Sequence, residues 1–198
     1  MFLLPFSTSF KYSFLQGIYI MSYDRPLFPI PLKLRYKGVF DFKGVYELVY
    51  RWYRNRQFRF HERRYKDKTY TPLGNEIEAN VWGEKEVTEF YKYHVTVDYH
   101  LWEAKEIPVI IKGKKVKRMR ARIDIRLDGK VVCDWQNRYD RSNPFQNVIL
   151  NFLIKTVLKY ELEVKHVDPL DKDLHNLEEQ IKKHLKIESD ASGVEGFY

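Results

Sequence analysis

The sequence predicts an α+β fold: a curved antiparallel sheet of about six to seven strands, packed on one face by helices, two of them C-terminal. Three observations support this. Residues 86–104 alternate apolar and polar side chains, the pattern of a long strand with one buried and one wet face. Sheets with a wet face are usually antiparallel. Strand patterns dominate up to residue 135, and helical patterns follow Arg141, which is the order of an α+β domain.

The predicted elements begin with an extended, proline-rich lead-in at 23–32 and a strand at 33–40. Asp41 is a suitable N-cap for a helix over 42–55, where apolar residues recur at helical spacing. Further strands are expected at 57–65, 76–81, 86–104, 109–111, 116–127 and 131–135. The strand at 86–104 would span about 55 Å if flat, so we expect it to bend, bulge or break.

Three turns are predicted between these strands, at 72–75, Lys112–Gly113 and Asp128–Gly129. Asp-Gly between alternating apolar residues is the strongest hairpin signal of the three. It predicts that residues 116–127 and 131–135 form neighbouring antiparallel strands.

Two helices are predicted at the C-terminal end. Asn143–Pro144 is a helix-start signature. The first helix has a broad apolar stripe of Phe145, Val148, Ile149, Phe152, Leu153 and Val157. The second is expected to start at Asp168–Pro169 and to bury Leu170, Leu174, Leu177, Ile181 and Leu185. Residues 188–198 are expected to be a disordered tail.

Residues 1–22 are predicted to lie outside the domain, which would cover 23–187. The leading interpretation is that Met21 is the true first residue; the alternatives are a peripheral anchor and a segment packed on the domain. Pro5, Lys11 and several Ser/Thr residues argue against a transmembrane span, and no signal-peptide cleavage pattern follows.

The positive charge of the chain is concentrated in two segments. The formal net charge is +8, yet residues 51–68 hold eight Lys/Arg against two acids, and residues 112–126 hold eight against one. Segmental positive charge suggests a polyanionic partner such as RNA or a ribonucleoprotein. The alternative is a solvated sheet face. A single cysteine, Cys133, fits a reducing compartment and a buried position.

The segment 51–65 interleaves basic and aromatic residues, which suits contact with single-stranded nucleic acid. In the alternative interpretation, Trp52, Phe58 and Phe60 face the core and the arginines face water. The predicted polyanion contacts are Arg54, Arg56, Arg59, Arg63, Arg64, Lys92, Lys117, Arg118, Arg120 and Arg122.

No catalytic motif is present, so we predict no enzyme activity, catalytic residue, cofactor or metal site. His94, Asp98 and His100 share a strand face, but His94 and His100 lie about 20 Å apart on a flat strand. Adjacent strand residues face opposite sides, so His61 and Glu62 do not cooperate directly.

Short matches to one group of proteins are spread over residues 32–187. They are Tyr36–Asp41 with Gly44 and Tyr46, His61–Glu62, Tyr65–Lys66, His100–Trp102, Ala121–Ile123 and Asp134–Trp135. This spacing resembles a group of small archaeal proteins of unknown function. The resemblance implies an archaeal, cytoplasmic protein and transfers no site.

The order of elements also resembles the helix-grip, or START-like, architecture, in which a sheet wraps a long C-terminal helix. This resemblance implies a cavity between sheet and helix, lined by residues such as Tyr91, Tyr93, Tyr99 and Trp135. The functional hypotheses are therefore a non-enzymatic polyanion-binding protein, a binding protein for an apolar or aromatic small molecule, and a structural or assembly subunit of undetermined oligomeric state.

Overall fold

The computed structural model describes residues 23–71, 74–111, 114–139 and 143–185. In this part of the chain, six antiparallel strands form one curved, open sheet. The strands are β1 (Tyr23–Pro26), β2 (Leu32–Phe40), β3 (Arg59–Thr71), β4 (Gly74–Glu86), β5 (Tyr91–Ile111) and β6 (Lys114–Cys133). Their order is β1-β6-β5-β4-β3, and β2 pairs with β6 on the same side as β1. The predicted fold class is confirmed, while its helix-grip resemblance stays a prediction.

β1 and β2 together form one interrupted edge strand along β6. β1 pairs with residues 130–133 of β6, and β2 pairs with residues 119–127. Pro29 and Pro31 lie between β1 and β2, and proline has no N–H to donate to a ladder. The prolines therefore explain the interruption.

β5 and β6 are long, and their pairing is uneven. The expected irregularity occurs as a bulge between Trp102 and Lys105, where the backbone of Glu103 adopts a positive φ of 58°.

The predicted turn at Lys112–Gly113 lies outside the described residues, as do residues 72 and 73 of the turn predicted at 72–75. The strand predicted at 76–81 is longer than expected, since β4 runs from Gly74 to Glu86.

The hairpin predicted at Asp128–Gly129 is wrong. These residues lie inside β6, which continues to Cys133, and Gly129 is paired with Val95 of β5. A Cβ atom at Gly129 would lie 2.7 Å from the Cδ1 atom of Leu174. The glycine therefore allows a helix to approach the strand closely and does not mark a turn.

Three labelled helices pack on the sheet or extend from it. α1 (Phe42–Asn55) connects β2 at one edge with β3 at the other, so it crosses the apolar face of the sheet. The Asp41 Oδ1 atom caps it by accepting a hydrogen bond from the Gly44 N–H at 3.1 Å. The predicted bounds and cap of this helix are confirmed.

The C-terminal helices are joined by wide helical turns. α2 (Pro144–Phe152) begins at its predicted N-cap, Asn143. π-helical turns at Leu153–Val157 and Leu162–Val167 flank a short α-helical turn at Lys159–Glu161. α3 (Asp168–Leu185) follows without a break, and its predicted apolar face is buried.

The core lies between the helices and the apolar face of the sheet. Its fully buried side chains include Tyr53 of α1, Tyr99 of β5, Ile123 of β6 and Leu177 of α3. Within the described ranges, no helix combines the length and apolar character needed to cross a membrane. The predicted segments 1–22 and 188–198 lie outside the described residues.

Candidate nucleic-acid interface

The sheet has a second face, opposite the helices, that is covered with polar and charged side chains. We call it the outer face. Strand alternation assigns to it the odd-numbered residues of β2 and the even-numbered residues of β4 and β6. The even-numbered residues of β5 also lie on it up to the bulge at Trp102. Cross-strand pairs such as Trp102 with Arg122 show that β5 and β6 present the same face.

One half of the outer face, formed by β3, β4 and the start of β5, is balanced in charge. Glu84 pairs with Lys92 at 2.5 Å and with Arg59 at 3.3 Å. Glu78 pairs with Arg64 and Lys68, each at 3.1 Å. The hydrogen bond from Lys68 is the largest cause that lowers the pKa of Glu78. We call this region the paired half, because Arg59, Arg64, Lys68 and Lys92 have carboxylate partners, whereas Arg63 and Lys66 have none within ion-pair distance in the described ranges.

The other half, on β2 and β6, has a large excess of positive charge. We call it the basic half; it consists of Lys33, Arg35, Lys37, Arg120, Arg122 and Arg126, all exposed. Its carboxylate, Asp124, is only 4% exposed.

Lys33, Arg35 and Arg126 share that single carboxylate. Their nitrogen atoms lie 3.1, 3.5 and 4.0 Å from Asp124 carboxylate oxygens. Within the described ranges, Lys37, Arg120 and Arg122 have no carboxylate within ion-pair distance. The basic half is therefore the part of the outer face with the larger excess of positive charge.

Aromatic and imidazole rings are stacked among these charges. The His61 ring stacks on Trp82 at a centroid distance of 4.4 Å, and Trp82 stacks on His94 at 5.2 Å. Near the basic half, the His100 ring stacks on Trp102 at 3.8 Å, and the Arg122 guanidinium lies 4.8 Å from the Trp102 ring centroid. Apart from the His100–Trp102 stack, which lies within β5, these contacts join neighbouring strands and hold the rings in fixed positions on the outer face.

Two depressions provide concave surface beside the charges. A groove of about 450 Å³ runs across the middle of the outer face, with Arg64, His100 and Arg126 among its lining residues. A cleft of about 510 Å³ lies at the bulge and is lined by Lys37, Lys105 and Arg120, together with Glu103. Both adjoin the basic half.

Glu76, Glu78 and His100 are the residues of the described part whose ligand atoms are grouped as a metal would require, within 4.8 Å of one another. The His100 Nε2 atom lies 2.6 Å from Glu76 Oε1. Glu78 is already bound by Lys68 and Arg64. We therefore interpret the group as part of the ion-pair network of the paired half.

His94, Asp98 and His100, which were considered from the sequence, are not brought together. His94 stacks on Trp82, and Asp98 accepts a hydrogen bond from Asn80. β5 continues without a register shift between His94 and His100. Burial is the largest cause that lowers the pKa of His94, and Lys130 adds to the effect.

The predicted polyanion contacts fall in three places. Those on the outer face are Arg59, Arg63, Arg64, Lys92, Arg118, Arg120 and Arg122. Lys117 lies on the opposite side of its strand and pairs with Glu106 at 3.1 Å. Arg54 and Arg56 lie at the end of α1, on the helical side, and Arg56 pairs with Asp173 at 2.8 Å. The structure does not bring these last three to the outer face.

On the outer face, the charge of most of the predicted contact residues is neutralised by a carboxylate. Arg118 is bound to Asp41 at 2.9 Å, and Arg59, Arg64 and Lys92 are bound to glutamates. Arg63, Arg120 and Arg122 remain as predicted contacts without a carboxylate partner in the described ranges. Sequence reasoning missed Lys33, Arg35 and Lys37, although their alternation with apolar residues in β2 is visible in the sequence.

The aromatic residues of segment 51–65 mostly follow the alternative interpretation. Trp52, Tyr53 and Phe58 are buried in the core, and Phe60 packs against it. These rings cannot stack on bases. The aromatic residues near charge on the outer face are instead Trp82 and Trp102, which were not among the predicted contacts.

Of the residues proposed to line an internal cavity, Tyr91 and Tyr93 both contact the His166 ring, whereas Trp135 lies beside Lys92. Tyr91 and Tyr99 are buried in the core, and in the described part of the chain their hydroxyl groups have no hydrogen-bond partner. The Tyr93 hydroxyl lies 3.0 Å from His166 Nδ1. Trp135 lies beyond β6, with the Lys92 ammonium 5.3 Å from its ring centroid, and donates to the Thr88 carbonyl.

The residues considered for catalysis do not form a common site. His61 lies on the outer face, whereas Glu62 accepts a hydrogen bond from the Tyr46 hydroxyl on the helical side. Cys133 is fully buried, as expected for a core residue.

Comparison with known proteins adds no assignment. No protein-family model matches the chain, and no curated protein matches it.

Proposed function

We propose that this protein is a non-enzymatic binding protein whose basic half contacts a polyanion, with RNA as the expected partner. The observation that carries the proposal is the charge of the basic half, where six exposed cations stand on two adjacent strands. Three of them share the Asp124 carboxylate, and within the described ranges the other three have no carboxylate within ion-pair distance. Phosphates can neutralise such a cluster, and release of their counterions drives the binding.

The geometry of a sheet supports the proposal. Same-face residues of a strand are about 7 Å apart, and neighbouring strands are about 5 Å apart. Arg120 and Arg122 therefore lie next to Lys37 in a compact two-strand patch, as their register indicates. Several phosphates of one chain can contact such a patch together.

The rings near the patch favour nucleic acid over an anionic membrane. Surface binding to a membrane uses exposed apolar side chains that insert beside the cations. Here the ring beside the basic half, Trp102, is half-buried and covered by His100 and Arg122. Its arrangement suits contact with a base or sugar at the ring edge.

The direct test measures binding of a short mixed-sequence RNA by fluorescence anisotropy. Neutralising the three cations of the basic half that have no carboxylate partner among the described residues, in the variant K37Q/R120Q/R122Q, is expected to weaken binding on the order of 50-fold near physiological salt. The matched control, R54Q/K155Q/K183Q, removes the same charge from exposed helical positions. It should bind like the wild type.

Two results would contradict the proposal. The first is the absence of RNA binding by the wild type at low salt. The second is an equal loss of affinity in both triple variants, because net charge alone would then explain the binding. DNA of the same sequence and anionic vesicles, measured in parallel, identify the polyanion if RNA is not the preferred one.

A small-molecule ligand inside the domain is the second candidate. The hydroxyl groups of Tyr91 and Tyr99 favour it, because they have no hydrogen-bond partner among the described residues and buried polar groups normally have one. Native mass spectrometry of the purified protein tests this candidate. A retained small molecule lost from a Tyr99→Phe variant would support it, and an unliganded mass would count against it.

A further inference from the structure

α2 is apolar on more than one side. Leu150 on α2 is buried against the core, as is Ile154 in the turn that follows. Phe145, Val148 and Phe152 point outward and are 71%, 66% and 59% exposed. Helices with apolar residues all round are normally buried, so a second surface is expected to cover the outward side.

The exposed apolar surface continues past the end of α2. Val157, Tyr160 and Val164 are 57%, 74% and 43% exposed. We call the six residues 145, 148, 152, 157, 160 and 164 the apolar helical face. Exposed apolar side chains that recur in this way along a helical segment are typical of an interaction surface.

The described chain begins beside this face. Tyr23 of β1 pairs with Cys133, and the Arg25 guanidinium donates to Glu163 at 2.9 Å. Glu163 is adjacent to Val164 and nearly one turn beyond Tyr160. Residues that precede Tyr23 therefore join the domain near one end of the apolar helical face.

We propose that residues 1–22 of the same chain pack on the apolar helical face. The segment is rich in Phe, Leu, Ile and Tyr, and Lys11 is its one charged side chain. Twenty-two residues can span about 70 Å when extended, whereas the face from 145 to 164 is about 30 Å long. Composition, length and point of attachment all fit this occupant. The inference does not depend on the proposed function.

Trypsin cleavage after Lys11 tests the proposal in the full chain, with intact mass as the readout. A packed segment protects Lys11, since cleavage of an opened site follows the population of the open form. Phe152→Glu is expected to speed this cleavage about tenfold, which corresponds to about 1.4 kcal/mol of lost packing. Val148→Ser provides a milder second variant, and circular dichroism verifies that each variant is folded.

Val39→Glu is the matched control, because Val39 is an exposed apolar residue on β2, away from the face. It should leave the rate after Lys11 unchanged. Equal rates in the wild type and both face variants would overturn the proposal, and so would equal acceleration by the control. Light scattering distinguishes the rival occupant: a dimer that Phe152→Glu dissociates, with no change in cleavage after Lys11, would assign the face to a second copy.

Discussion

Gly129 of β6 lies directly beside Leu174 of α3. Its missing side chain leaves room for Leu174, whose Cδ1 atom would lie 2.7 Å from a Cβ atom at position 129. Leu174 is fully buried, so it has little room to move away. The contact explains why an Asp-Gly pair stands in the middle of a strand.

Gly129→Ala is expected to lower the free energy of unfolding by roughly 1–3 kcal/mol through overpacking. Urea denaturation measures the change. Leu174→Ala alone should cost roughly 2–5 kcal/mol, and the double variant should cost less than the sum, because each change relieves the other. Additive losses would show that the two residues do not crowd each other.

His166 is a buried imidazole between two tyrosines. Its Nδ1 atom lies 3.0 Å from the Tyr93 hydroxyl, and its ring centroid lies 4.1 Å from that of Tyr91. Burial is the main cause that lowers the pKa of His166; Glu161 opposes the shift and Lys165 adds to it. The folded state therefore favours the neutral imidazole.

A lowered pKa makes stability depend on pH. Below the ordinary histidine value of 6.5, the unfolded chain binds a proton that folded His166 resists, so stability is expected to fall as pH falls from 7 to 5. The contribution of one group is at most about 1.4 kcal/mol per pH unit. His166→Gln cannot titrate and should show a flatter profile in urea denaturation. Identical profiles for the wild type and the variant would contradict the assignment.

At the scale of elements, Asp41 joins α1 to the sheet. One carboxylate oxygen caps the helix at the Gly44 N–H, and the other binds Arg118 of β6 at 2.9 Å. The start of the crossover helix is thereby fixed to a central strand. This role also removes Arg118 from the set of free cations.

Two substitutions separate the roles of Asp41. Asp41→Asn keeps a capping oxygen and loses the ion pair, which is partly exposed, so it should cost less than about 1 kcal/mol. Asp41→Ala loses both contacts and should cost about 1–2 kcal/mol. Thermal or urea denaturation measures both. Equal costs would show that the cap contributes nothing beyond the ion pair.

The elements were predictable where a local rule decided them. Asp41 and Asn143 mark their helix starts through side-chain caps, and the alternation of β5 sets its two faces. Asp128–Gly129 misled the prediction because tertiary packing against Leu174 overrides local turn chemistry. A single sequence does not show which helix will approach which strand.

The candidate site was predictable only in part, for a similar reason. The charge of residues 112–126 is visible in the sequence, but the carboxylates that neutralise other cations come from neighbouring strands. Glu78 binds Arg64 and Lys68 because the register of β3 on β4 places it between them. Counting cations along the sequence therefore overestimates the free positive charge of the paired half. It also misses the cations that β2 adds to the basic half.

At the scale of the whole molecule, the sheet separates two kinds of surface. Helices cover one face and build the core, while the outer face carries a paired half and a basic half. The apolar helical face adds a third surface, on the helical side. Charge and apolar area are thus placed on different sides of the domain.

The salt dependence of RNA binding tests the central claim most directly. Between about 50 and 200 mM salt, the slope of log K against log salt reports how many phosphates the protein neutralises, at about 0.7 per contact for a single strand. If the basic half is the contact surface, K37Q/R120Q/R122Q should reduce the magnitude of the slope by about 2, and R54Q/K155Q/K183Q should leave it unchanged. The same slope for wild type and K37Q/R120Q/R122Q would contradict the account.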